Sequence, residues 1–171
     1  MKTKIIPSIA KAGFFIAMAI TCAAGSYAQN AKDKTEATKQ LVEAQHYVFV
    51  AQTALPMNGH VRQLTGVDYD LKVTKTSITA YLPYFGRAYS APIDPSQGGI
   101  QFTSAAFNYT LTMRKKGGWD VQIKPTDAAD VQQLSLTITE TGYATLQVTS
   151  TNRQAISFNG YIEEIKEKKS K

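Results

Sequence analysis

Cysteine is nearly missing from this chain: the one residue, Cys22, lies within the first 28 of 171 positions. Beyond that point no disulfide can form, so stability must come from packing alone. Histidine is almost as scarce, with only His46 and His60. No G-x-S-x-G, P-loop or H-E-x-x-H pattern occurs, which removes the familiar signatures of serine hydrolases, P-loop nucleotide hydrolases and zincins. Basic residues are scattered except at Arg114-Lys115-Lys116 and in the tail, so the chain lacks the stripe that would grip nucleic acid. Long apolar runs are missing too. The longest, Ala12 to Ala24, falls short of the ~20 residues that span a bilayer.

That short run has another meaning. Lys2, Lys4 and Lys11 make a basic start, the apolar stretch follows, and Ser26-Tyr27-Ala28 meets the small-x-small rule for signal peptidase. The expectation is a signal peptide over 1–28, cleavage after Ala28, and a periplasmic or secreted protein with no transmembrane anchor. An alternative is a lipoprotein anchored through Cys22, although Ala19-Ile20-Thr21 is a poor lipobox. Cleavage after residue 28 leaves 143 of the 171 residues, enough for one domain. It also removes three of the 19 Lys and Arg and none of the 13 acids, lowering the net charge from +6 to +3.

Along the mature chain, residues 29–35 are polar and read as disordered. From Glu36 the spacing of Leu41, Ala44, Val48, Ala51 and Leu55, widened by Tyr47 and Ala54, predicts an amphipathic helix ended by Pro56. Tyr47 to Ala51 also fits a strand, but the longer period favours helix. Everything after it alternates with period two. Tyr69, Leu71 and Val73 form one strand, and Ile78, Ala80 and Leu82 the next. Ile100 and Phe102 suggest a short strand. Phe107 to Met113 and Trp119 to Ile123 flank Lys115-Lys116-Gly117-Gly118, the strongest hairpin signal in the chain. Leu134 to Ile138, Ala144 to Val148 and Ile156 to Ile162 complete the set, with Gly160 marking a bulge or close backbone approach. The fold expected over 36–163 is mainly β (α+β). It has one N-terminal helix and a seven- or eight-stranded antiparallel sheet, curled or closed into a half-open barrel. A charged tail, 164–171, follows.

Several of these features occur together in one family. Ala54-Leu55-Pro56, Tyr69-x-Leu71, Leu82-Pro83-Tyr84-Phe85-Gly86-Arg87-Ala88, the hairpin at Trp119 and Arg153 before the last strand resemble a family of secreted Bacteroidetes proteins, domain-of-unknown-function family 4251. The resemblance covers nearly the whole mature chain and implies an exported envelope protein. It implies no activity and no catalytic residues.

The most unusual stretch is Tyr81 to Tyr89, YLPYFGRAY, with four aromatic rings, a proline, a glycine and an arginine in nine residues. Two readings stay open. As a ligand rim, Tyr81, Tyr84, Phe85 and Tyr89 offer apolar surface and Arg87 holds an acidic or hydroxylated group. As a plug, Tyr84 and Phe85 seal the sheet end and Arg87 caps carbonyls or pairs with an acid. No catalytic residue is assigned. Asp68 and Asp70 alternate into water, Asp127 and Asp130 suit turn chemistry, and the two histidines with these acids make no convincing metal site. No cofactor and no metal are expected. The function expected is a non-catalytic envelope module that binds a small amphipathic ligand, with a small apolar or anionic molecule as the partner class, or an envelope protein partner. The alternatives are a hydrolase-type enzyme without familiar motifs and a purely structural envelope protein.

Overall fold

The computed structural model describes residues 23–65, 69–89 and 98–166, with side chains from residue 33 onward. Among the described residues one helix, α1 (Ala23–Ala44), precedes ten strands: β1 (Tyr47–Pro56), β2 (Arg62–Gln63), β3 (Asp70–Val73), β4 (Ile78–Leu82), β5 (Ile100–Ser104), β6 (Phe107–Met113), β7 (Trp119–Pro125), β8 (Val131–Ile138), β9 (Tyr143–Ser150) and β10 (Ile156–Glu163). No helix among the described residues is long and apolar enough to cross a membrane.

All pairings are antiparallel, in the order β5-β4-β3-β1-β10-β9-β8-β7-β6, with β2 added on β1. The chain walks outward from β1 to β5, crosses to β6, and walks back to β10, which closes on the other side of β1. Only Ala105 and Ala106 separate β5 from β6. A connection that short between the two ends of the strand order curls the sheet into a nearly closed barrel. At that corner Asp127 accepts hydrogen bonds from the Ser104 hydroxyl and from the Ala105 and Ala106 amides. The Ser104 contact, then the Ala105 amide, hold its carboxyl below the ordinary aspartate range.

The inside of the barrel is filled. Tyr47, Phe49, Leu71, Leu134, Leu146 and Phe158 are fully buried and belong to one continuous cluster. Trp119 faces inward and is buried, as the alternation of its hairpin predicts. The C-terminal end of α1 closes one mouth: Val42 is fully buried, and the Tyr109 hydroxyl donates to its carbonyl at 3.2 Å. The Tyr47 hydroxyl lies 3.4 Å from that of Tyr109, and burial raises its pKa well above the ordinary tyrosine value.

Three expectations are corrected here. The helix does not run from Glu36 to Leu55. It ends at Ala44, and Tyr47–Pro56 is the central strand. The ending is a Schellman motif: His46 N–H donates to Leu41 C=O, Gln45 N–H to Val42 C=O, and Gln45 takes φ of 51°. Beyond it, Tyr47-Val48-Phe49-Val50 is aromatic and β-branched and lies between β3 and β10, with Val48 buried on the opposite face from Tyr47 and Phe49. A bulge between Ala51 and Thr53 then shifts the inward positions to Ala54. Two-sided burial plus one extra residue imitates the three-and-four spacing of a helix. Residues 29–35, expected to be disordered, lie within α1. With β1 and the two-residue β2 added, the described residues hold ten strands rather than seven or eight.

Gln45 carries a conformation that glycine adopts at lower cost. Gln45→Gly should therefore stabilise the fold by about 1 kcal/mol. A raised urea midpoint at unchanged slope would show it.

Candidate functional site

The end of the barrel away from α1 is built by YLPYFGRAY and the turn before β10. Leu82 and Pro83 are buried as the chain leaves β4. Tyr84 is half-buried against the core, and its hydroxyl is shared between Arg87 C=O at 2.8 Å and Gln154 C=O at 3.1 Å. Burial raises its pKa. The loop wraps this ring so closely that a Cβ at Gly86 would lie 2.4 Å from the Tyr84 hydroxyl. Backbone bonds stitch the loop to the turn: Gln154 N–H to Arg87 C=O at 3.1 Å and Tyr89 N–H to Asn152 C=O at 2.8 Å.

Arg153 organises this end. Its Nε pairs with Asp130 Oδ2 at 2.9 Å, and its Nη1 donates to Gly99 C=O at 2.8 Å. Its guanidinium lies 5.3 Å from the centre of the Tyr84 ring. One side chain thus ties the starts of β5 and β8 to the aromatic loop. Beside it, Gly99–Phe102 and Ala128–Val131 line a groove of about 200 Å³.

The five predicted site residues divide. Tyr84 is structural, with both its ring and hydroxyl engaged. Tyr81 points outward from β4 and stacks on Tyr69, ring centres 5.7 Å apart. Phe85 and Tyr89 are 37% and 68% exposed, so Phe85 does not seal the sheet end as the plug reading expects. Pro83 terminates the strand and turns the chain, so the loop uses Tyr84 as its inward ring and leaves Phe85 outside. Arg62 of β2 covers the face of Phe85, 4.8 Å from its centre, and Met57 and Val61 of the β1–β2 connection are exposed. Arg87 is exposed and has no ion pair among the described residues. The carbonyl-capping and acid-pairing role expected of it belongs to Arg153.

Other candidates are placed apart. His46 precedes and His60 follows the ten-residue β1, so they lie at opposite ends of a strand about 30 Å long. Asp70 pairs with Lys72 at 3.5 Å, while Asp68 and most of the 90–98 loop lie outside the described residues. Residue reasoning gave Arg153 no role. A pointer was available: Gly98-Gly99 and Asp130 immediately precede β5 and β8, Arg153 lies in the turn before β10, and three loops of one sheet can share an end.

A family model described as a domain of unknown function, DUF4251, matches residues 29–162. The crystal structure of a DUF4251 family protein from Bacteroides eggerthii superposes with a TM-score of 0.56 at 16% identity, covering 77% of this chain and 87% of that one. At that identity the likeness speaks for the fold. A search of curated proteins gives no match.

Proposed function

The chain belongs to the DUF4251 family, and from that premise we propose that it is an exported envelope module that binds an anionic, amphipathic partner on the rim of its barrel. The supporting observation is the contrast between the two arginines of that rim. Arg153 is consumed by Asp130, Gly99 and Tyr84, whereas Arg87, in the same loop as exposed Phe85 and Tyr89, is exposed and has no ion pair among the described residues. A free guanidinium next to apolar rings suits a molecule that is acidic at one end and apolar at the other. Binding inside the barrel is disfavoured, because Phe49 and Phe158 already fill it. The module acts by capture rather than by chemistry. The hydrolase alternative requires an acid or histidine beside Arg87.

Anilinonaphthalene sulfonate, an aromatic anion, is a suitable probe. Its fluorescence should rise on titration with the folded protein. Arg87→Ala should weaken the apparent affinity about tenfold, the loss of one charge-assisted contact. Equal binding by Arg87→Ala and the parent would remove the reading.

A further inference from the structure

We propose that β6 is a docking edge for a second copy of this chain, joining two barrels through an antiparallel β6–β6 ladder. Among the described residues the edge is unpartnered: β6 ends the strand order, and beyond the Ala105–Ala106 corner β5 and β6 do not pair. The groups it offers follow from two hydrogen bonds. Thr126 N–H donates to Ala106 C=O, and Arg114 N–H donates to Gly118 C=O. Antiparallel alternation then turns the even-numbered residues of β6 toward β7. Phe107, Tyr109, Leu111 and Met113 direct their N–H and C=O groups outward.

Natural sheets blunt such edges with charges, prolines, bulges or cover. Phe107–Met113 contains no charge and no proline, and its ladder to β7 runs without a register shift. At the opposite edge, β5 is faced by Ala128–Val131 across the groove, and Arg153 occupies the Gly99 carbonyl. Burial points the same way. Val121 and Ile123 on β7 are fully buried, while the neighbouring inward residues Phe107, Tyr109 and Leu111 are only half-buried and Met113 is 70% exposed.

The segment complements itself. Pairing centred on Thr110 places Tyr109 opposite the partner's Leu111 and Phe107 opposite the partner's Met113, so apolar faces apolar on the inner side. Asn108 meets the partner's Thr112 on the outer side. The same register brings Arg114 opposite the partner's Ala106, whose amide is held by Asp127. Arg114 is ion-paired with Asp120 of its own copy at 3.6 Å, so the charge match rests on Lys115 and Lys116 of the hairpin tip, which the same register carries toward the partner's Ala105 and the partner's Ser104 beside the partner's Asp127. This charge match selects a second copy over an arbitrary extended peptide.

Thr110 sits at the two-fold axis in a closely spaced pair, exposed and away from the core. Full-length Thr110→Lys and Thr110→Glu should keep the parent melting temperature and each weaken dimerisation about fivefold or more, since like charges then face each other. Sedimentation velocity across a concentration series measures this. The parent should sediment as a dimer, each variant should shift to monomer, and an equimolar mixture of the two should recover the dimer. A monomeric parent overturns the proposal. So does a dimer that survives both substitutions, or a mixture that remains monomeric.

Discussion

Gly160→Val should leave the chain unable to reach its native barrel. Gly160 lies opposite Ala51 on β1, beside the bulge that precedes Thr53. A Cβ added there would lie 1.9 Å from the Val50 carbonyl oxygen, 2.9 Å from its carbonyl carbon and 3.1 Å from Ala51 Cα. All three are backbone atoms of the central strand, so no side-chain rotation relieves the overlap. The β1–β10 ladder would have to part, and that ladder joins the two halves of the strand order. The expected loss exceeds about 4 kcal/mol, a large share of a single domain's stability. Gly160→Ala meets the same atoms and should also be severely destabilised. Soluble yield, far-ultraviolet circular dichroism and urea unfolding measure the series. A Gly160→Ala protein within about 1 kcal/mol of the parent would mean that β1 and β10 do not approach this closely.

Phe158→Ala should cost about 3–5 kcal/mol, the usual loss for a large buried aromatic. Phe158 is fully buried and lies between Ala54 on β1 and Leu146 on β9. Its ring helps make the barrel solid. Phe85→Ala should cost no more than about 1 kcal/mol, because that ring is 37% exposed and its defined contact is the Arg62 guanidinium. Urea unfolding of both variants separates a filled barrel from a hollow one. Near-parent stability for Phe158→Ala would reopen the interior as a ligand cavity.

The strands with one wet face were legible because each alternates. Ile78–Leu82 and Phe107–Met113 are read to the residue, and Trp119 falls on its expected inward face. The strand that organises the sheet was not. β1 is buried on both faces over Tyr47–Phe49 and bulged after Ala51, so the period that identifies a strand is erased where burial is greatest. Family resemblance carried the matching motifs, Arg153 among them, without their roles. The aromatic loop was visible by composition, but the division of labour within it was not. Which ring turns inward depends on backbone contacts to Asn152 and Gln154, more than sixty residues away along the chain. Arg87 and Arg153 look alike in sequence. The salt bridge to Asp130, the Gly99 carbonyl and the Tyr84 ring distinguish them.

That distinction is the central claim, and urea unfolding of Arg87→Ala and Arg153→Ala, measured side by side, tests it most directly. Arg153→Ala should lose about 2–3 kcal/mol, because a 2.9 Å ion pair and a 2.8 Å carbonyl contact disappear from a side chain only 14% exposed. Arg87→Ala should stay within about 0.5 kcal/mol of the parent, as expected of an exposed residue free to meet a partner. If Arg87→Ala is the destabilised variant and Arg153→Ala is not, Arg87 is the structural arginine and the rim site loses its free charge.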